Sequence, residues 1–314
     1  MTPNNILVIR LSALGDIVSS LGPMAAIRRH HHAAKITLLT MPEFVPLLQP
    51  SGYFDEIWCD ERAPWWGVTK ILNLRRRLAR AGFDRVYDLQ TSKRTARYFQ
   101  IWPYPKPEWS GHAKGASHCD RVNPDREISH TIDRQKFQLK LAGISEIPDA
   151  DLGFLPPSDL SKFNLPRDYA LMVPGCSASQ TWKRWPIESY IAVAQKLVQA
   201  KVTPVIIGSV AETELCQLLA KSVPEALNLN GATDLISLVS LARSCRLAIG
   251  NDTGPMHMIT ASGRPVLVLT TSDILRHKTA PRGRFVRHAM AASLAEISVE
   301  TVWQDILLIL SQPA

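Results

Sequence analysis

The sequence predicts an α/β protein of two successive units, each a parallel sheet covered by helices. Three observations carry that prediction. Apolar runs of strand length alternate with helical periodicities, the pattern of parallel strands joined by helical crossovers. The alternation stops in a proline-rich stretch near mid-chain and then begins again. The 314 residues suffice for two domains, since one domain commonly holds roughly 100–200.

In the first half, runs at Ile6–Ile9, Ile36–Leu39, Glu56–Cys59 and Arg85–Leu89 read as strands. A helix is predicted between the first two, from about Asp16 to Arg29. A second, from about Val68 to Arg80, repeats Ile71, Leu72, Leu74 and Leu78 near helical spacing and fills its other face with arginines. Residues 100–127, "QIWPYPKPEWSGHAKGASHCDRVNPDRE", are dense in Pro, Gly and polar residues and predict a long loop. A helix follows from about His130 to Ala142. Residues 144–168 are rich in proline, lack periodicity and read as the interdomain linker. In the second half, strands are predicted at Tyr169–Val173, Val202–Ile207, Leu247–Ile249 and Val266–Leu269. Helices are expected near Ile187–Gln199, Glu212–Lys221 and Leu235–Arg243. Ligands of such sheets bind at the carboxyl ends of the strands, so the expected site is a cleft between the two units.

Composition narrows the function classes. Apolar content of 46% with 20% charged residues fits a globular chain, and no apolar run approaches the roughly 20 residues of a membrane span. The start, "MTPNNILVIR", lacks a basic region followed by an apolar signal core, so no secretion signal is predicted. Cys59, Cys119, Cys176, Cys216 and Cys245 are scattered without a CxxC pair, which argues against zinc or a disulfide framework and suits a reducing cytoplasm. The excess of 36 Lys+Arg over 28 Asp+Glu favours anionic partners without choosing among nucleic acid, an acidic membrane surface and a phosphorylated small molecule. Neither unit has GxGxxG between its first strand and helix, which disfavours a NAD-dependent dehydrogenase.

Four segments carry chemistry. In "LAIGNDTGPMHMITASGRPVLVL", residues 247–269, a strand ends in the turn Asn251-Asp252-Thr253-Gly254. Pro255 suits a first helical position, and Thr253 or Gly254 can cap the helix that runs through His257 to about Ala261. That helix N-terminus offers free N–H groups to an anion, with His257 in reach of a phosphate or ribose; an ordinary capped helix with His257 at the surface is equally compatible. "VPGCSASQTWKRWP", residues 173–186, sets Lys183 and Arg184 between two tryptophans, where a cation can stabilise a departing diphosphate or the tryptophans can simply anchor a basic loop. In "VIIGSVAETELCQLL", residues 205–219, Glu212 is placed either to accept ribose hydroxyls or to sit as a favourable first-turn charge. "DLQTSKRTARYF", residues 88–99, bears Lys93, Arg94 and Arg97, which suit an anionic acceptor or a solvated helix face. The run "RHHH" at 29–32 lies at a helix end, without acidic or cysteine companions at metal-ligand spacing.

The N-terminal segment "IRLSALGDIVSSLGPMAAIR" adds an oddity: one glycine, Gly15, and then a carboxylate, Asp16, in a turn that normally faces phosphate. Together with "VPGCSASQTWKRWP", "GSVAETE" and "GNDTGPMHMITASGRPVLVL", in that order, it resembles glycosyltransferase family 9, the ADP-heptose:lipopolysaccharide heptosyltransferases. The resemblance implies a GT-B architecture: two Rossmann-like domains with a ligand cleft between them. Residues 1–158 would form the acceptor domain and 159–292 the nucleotide-sugar domain. Residues 293–314 would form a C-terminal helix, from "SVETVWQDILLIL", that packs back on the first domain.

The resemblance further implies an inverting transfer of heptose from ADP-heptose to the anionic inner core of lipopolysaccharide. No metal or other cofactor and no nucleic acid take part. The work would be done in the cytoplasm, in peripheral contact with the inner membrane. Asp16 matches the family's general base and Lys183 a lysine near the donor phosphates. Asp252, Thr253, Gly254 and His257 match the donor-binding turn, Glu212 the carboxylate on the ribose and Thr233 the adenine contact. Ser12, Gly15, Gln90, Lys93 and Arg94 fall on the acceptor side. Two departures stand out: "LTTSDILRHKTAP" replaces a Gly-Pro-Thr segment that borders the donor, and Ser19 stands where some members carry histidine. The rival readings are a GT-B transferase with another nucleotide sugar or acceptor, and a non-catalytic nucleotide- or anion-binding protein.

Overall fold

The computed structural model describes residues 3–60, 68–273 and 277–311. The chain divides into two compact units, Met1–Ala150 and Asp151–Ala314.

In the first unit, strands β1 (Asn5–Ile9), β2 (Lys35–Thr40), β3 (Glu56–Cys59), β4 (Arg85–Asp88), β5 (Glu108–Gly111) and β6 (His118–Cys119) form one sheet in the order β3-β2-β1-β4-β5-β6. Every pair is parallel. The helices are α1 (Leu14–Ser19), α2 (Leu21–His30), α3 (Val45–Leu48), α4 (Val68–Ala81), α5 (Lys93–Ile101) and α6 (Thr131–Leu141). The second unit repeats the plan with β7 (Tyr169–Val173), β8 (Thr203–Ile206), β9 (Leu227–Asn228), β10 (Leu247–Asn251), β11 (Val266–Thr271) and β12 (Val286–Ala291). Its order is β12-β11-β10-β7-β8-β9, again parallel throughout. Its helices include α7 (Ile187–Gln199), α8 (Thr213–Ser222), α9 (Leu235–Ser244), α10 (Gly254–Ala261) and α11 (Val299–Leu310).

Counted from its own first strand, each sheet runs 3-2-1-4-5-6. The direction of winding therefore reverses between β1 and β4 in one unit and between β7 and β10 in the other. At such a switch point the loops leaving the two strands part and open a crevice at the strand ends. The strands that lead into the two switch points, β1 and β7, are almost wholly apolar, as parallel strands covered on both faces are. Ile6, Leu7, Val8 and Ile9 are fully buried, as are Ala170, Leu171 and Met172.

The structure corrects several expectations. The helix predicted from Asp16 to Arg29 is two helices that meet at Ser20, whose hydroxyl donates to the Asp16 carbonyl at 2.8 Å and accepts from Gln135 Nε2 at 2.8 Å. The long loop at 100–127 contains β5 and β6, which extend the sheet. Buried Trp109 holds β5 down against Phe99 and Trp102, with ring centroids 5.2 and 5.7 Å away. Pro, Gly and polar neighbours had masked that short apolar signal. Of the stretch read as a linker, the part from Asp151 onward belongs to the second unit: the Leu152 amide donates to the Ala261 carbonyl at 3.1 Å, and Arg243 donates to the carbonyls of Leu152 and Leu155 at 2.7 and 3.0 Å. The units accordingly divide at 150/151, ahead of the expected 158/159. Strands β9 and β12 are additions. The last helix, expected to pack back on the first domain, sends Val302, Ile306 and Ile309 into the core of the second unit. Among the described residues, no helix is long and apolar enough to cross a membrane.

Candidate active site

At the first switch point, the turn after β1 carries Arg10 to Ala13 into α1, with Asp16 at its third position. Arg10 is buried and aims its guanidinium along this turn. Nη2 meets Asp16 Oδ1 at 3.0 Å, Nε donates to the Asp16 carbonyl at 3.2 Å, and Nη1 donates to the Leu89 carbonyl at 2.6 Å. Asp16 Oδ2 accepts the Ala13 amide at 3.2 Å. The carboxylate remains 38% exposed, so it is held from behind and open in front. Burial pulls the Arg10 pKa down, against the Asp16 and Asp88 carboxylates that raise it.

The loop after β4 supplies the other wall. Gln90 Oε1 accepts the amides of Leu11 and Ser12 at 2.8 and 3.1 Å, which ties the two loops of the switch point together. Gly15 lies in α1 beside Asp16. Lys93, exposed, starts α5, while Arg94 turns its Nη1 to the Tyr98 hydroxyl at 3.3 Å. Behind them, burial pushes the Asp88 carboxyl up to about 7, although it accepts the Gln90 and Thr91 amides at 3.1 and 2.9 Å.

At the second switch point, the loop after β7 and the turn after β10 meet. Lys183 Nζ sits 2.8 Å from Asp252 Oδ2, and His257 Nε2 lies 3.7 Å from Oδ1. Asp252 is 4% exposed; burial opposes its ionisation, yet His257 and Lys183 hold its carboxyl below the usual range. Thr253 is the N-cap position of α10, and Gly254, not Pro255, is its first residue. The Thr253 hydroxyl is buried with no hydrogen-bond partner among the described residues, and first-turn amides of a helix have no carbonyl within the helix to bond. His257 is buried, not at the surface. This arrangement presents N–H donors and a cation to an anion at the strand ends.

Glu212 closes a 3-10 turn ahead of α8, where Oε2 accepts the amide and hydroxyl of Ser209 at 2.7 and 2.8 Å. Its other oxygen lies over Gly175, where a Cβ would come within 1.6 Å of it. Thr233 is half-buried just ahead of α9. Thr270 and Thr271 are buried in β11, and Thr271 Oγ1 donates to the Ala292 carbonyl at 3.2 Å, so of the three polar residues after Leu269 only Ser272 is exposed. Residues 274–276 of that segment lie outside the described residues.

Each switch point thus holds an ion pair, Arg10–Asp16 in the first unit and Lys183–Asp252 in the second. The pattern of glycosyltransferase family 9 (heptosyltransferase) matches residues 71–281. The chain belongs to this family. Among curated proteins, it is 26% identical over 286 residues to the lipopolysaccharide core heptosyltransferase OpsX of Haemophilus influenzae, covering 85% of this chain and 79% of that one. Among solved structures, it is similar to Escherichia coli ADP-heptose lipopolysaccharide heptosyltransferase II, with a TM-score of 0.78, 22% identity and 98% of both chains covered. It is likewise similar to the family 9 glycosyltransferase of Veillonella parvula, with a TM-score of 0.83, 19% identity and 98% and 97% covered. The fold is therefore GT-B, as the resemblance implied, and the enzyme is a glycosyltransferase.

Three features of this family 9 chain escaped sequence reasoning. Arg10 sits next to the Asp16 turn but reads as the end of a strand. Arg134 on α6 interacts electrostatically with both Asp16 and Arg126; its Nε is buried and unpartnered while Nη2 donates to Thr131 Oγ1 at 2.8 Å. No sequence pattern marks it, because the burial of the neighbouring Gln135 and Gln138 is seen only in the structure. His277 and His288 stack edge-to-face at 5.0 Å, and burial keeps both less basic than usual while Asp252 acts against it.

Proposed function

We propose that this enzyme moves a heptose from ADP-heptose onto the inner core of lipopolysaccharide, with inversion at the anomeric carbon. The carrying observation is how the two ion pairs differ: at the first switch point the carboxylate, Asp16, is the open partner, while at the second the carboxylate, Asp252, is buried and holds Lys183 beside the N-terminus of α10. Asp16 repels a diphosphate but can take a proton from a hydroxyl. The acceptor therefore belongs to the first unit, where Ser12, Gly15, Gln90, Lys93 and Arg94 lie in the two loops and α5, and the nucleotide to the second.

In the reaction, Asp16 removes the acceptor proton as that oxygen attacks the anomeric carbon from the face opposite the nucleotide. The bond from carbon to the diphosphate oxygen breaks, and its electron pair leaves with ADP. Lys183 and the amides at Thr253 and Gly254 stabilise that charge, with Asp252 and His257 holding the lysine and the turn. Glu212 takes the ribose and Thr233 the adenine. No metal ion or other cofactor enters these steps, and no nucleic acid is a partner. The names of the relatives support ADP-heptose as donor and the lipopolysaccharide core as acceptor. The basic surplus suits that anionic acceptor at the cytoplasmic face of the inner membrane.

A second reading keeps the fold and changes the donor, because the segment after Leu269 departs from the family pattern. A panel of nucleotide sugars assayed against core oligosaccharide decides between them. Preference for ADP-heptose supports the proposal, and turnover only with another nucleotide sugar replaces it.

A further inference from the structure

Asn251 is the last residue of β10 and has no solvent exposure. Its side-chain amide makes four hydrogen bonds. Oδ1 accepts the Trp185 amide at 3.1 Å and the Tyr190 hydroxyl at 3.0 Å. Nδ2 donates to the carbonyls of Pro174 and Gly175 at 2.7 and 3.1 Å. An Asn side chain has two donor hydrogens and two acceptor lone pairs, so its capacity is filled.

These partners have a common meaning. Pro174 and Gly175 open the loop after β7, and Trp185 closes it. Lys183 lies two residues before Trp185, and Asp252 directly follows Asn251. One buried amide thus pins both ends of the lysine-bearing loop to the turn that starts α10. Gly175 is also the residue on which the Glu212 carboxylate rests. Trp185 is fixed further by Nε1 donating to the Ile297 carbonyl at 2.9 Å, and its ring meets that of Tyr190 at 5.0 Å.

We propose that Asn251 is a positioning residue of the donor site: it sets the place of Lys183 against the α10 N-terminus and of Gly175 beneath Glu212. This deepens the proposed function and rests on its assignment of the nucleotide to the second unit. Aspartate at this position matches asparagine in shape but replaces two donors with an acceptor facing two carbonyls. A buried group left facing the wrong partner is costly, so the loop ends should separate.

The test measures ADP affinity by titration calorimetry for the full chain and for Asn251→Asp, Lys183→Met and the double variant. Asn251→Asp is expected to weaken ADP about tenfold, the scale of one disrupted buried polar contact. In the Lys183→Met background the same change should cost under about threefold, because coupled sites are not additive. Wild-type affinity in a folded Asn251→Asp, or equal losses in both backgrounds, overturns the proposal. If Asn251→Asp does not fold, Tyr190→Phe decides: it keeps the ring and removes one donor onto Oδ1. Weaker ADP binding supports the proposal and unchanged binding rejects it. Should the wild-type chain not bind ADP, the nucleotide assignment falls by itself. Hydrogen exchange of residues 174–185 then judges the anchor separately, with faster exchange in Asn251→Asp expected and unchanged exchange contradicting it.

Discussion

The guanidinium of Arg10 meets the carboxylate of Asp16 at 3.0 Å, with the arginine side chain 4% exposed and the aspartate 38%. Arg10 is anchored on its far side by the Leu89 carbonyl. The pair therefore differs from a surface ion pair, in which both partners move. One carboxylate oxygen is held by a fixed cation, and the group still faces solvent. That geometry orients the carboxylate without closing it off.

Asp16→Asn should lower transfer by about 10²–10⁴-fold, the usual contribution of a positioned general base. ADP affinity should stay within about twofold of wild type. Steady-state kinetics with calorimetry checks both, and loss of ADP binding in a folded variant would move Asp16 to the donor side.

Lys183→Met should reduce kcat by about 10²–10³-fold, the scale for removing one group that stabilises developing charge. The loss should be smaller for donors whose leaving group carries less negative charge. Equal losses for all donors would make the lysine a structural partner of Asp252.

Gly175→Ala should weaken donor binding through Glu212, because the new Cβ would lie 1.6 Å from Oε1 and push the carboxylate away. The effect should largely vanish in a Glu212→Ala background. Independent losses in the double variant would show that Glu212 does not carry the effect.

Stability against pH has a specific form. Burial holds His31 down to about 4 from its ordinary 6.5, so between these values the unfolded chain binds a proton that the folded one refuses. Its contribution is complete above about 6.5 and is lost as the pH falls towards 4. Asp88, raised to about 7 from 3.8, has the opposite sign: the folded chain keeps the proton, and stability falls as the pH rises through that window. The two slopes oppose each other between about 4 and 6.5. Asp88→Asn should uncover a rise in stability with pH, and His31→Gln a fall, each approaching roughly 1.4 kcal/mol per pH unit. Denaturant unfolding across this range measures both slopes, and two variants with the wild-type profile would contradict the assignments.

Transfer should also survive dialysis against EDTA, since the proposed steps use only side chains and helix amides. A loss restored by a divalent cation would require a metal in the mechanism.

The layout of the fold was legible because enough strands are short apolar runs bounded by turn residues, as β1 and β7 are. Glu56–Cys59 and Tyr169–Val173 begin and end where the pattern says. What failed was short or diluted. Trp109 builds β5 among prolines and glycines, and the apolar residues of 144–168 bind by backbone bonds that no periodicity reveals. The site followed the same division. Lys183 and Asp252 stand in loops after strands, and Asp16 in the first turn of the helix that follows β1. Arg10 and Arg134 reach Asp16 only through the three-dimensional arrangement, and Asn251 resembles a turn residue until its four partners are seen.

The most direct test of the central claim is incubation of the enzyme with ADP-heptose and a truncated lipopolysaccharide core, with the product identified by mass spectrometry and NMR. The account predicts one added heptose with inverted anomeric configuration, and none with Asp16→Asn. Retained configuration, undiminished transfer by Asp16→Asn, or transfer only from another nucleotide sugar would contradict it.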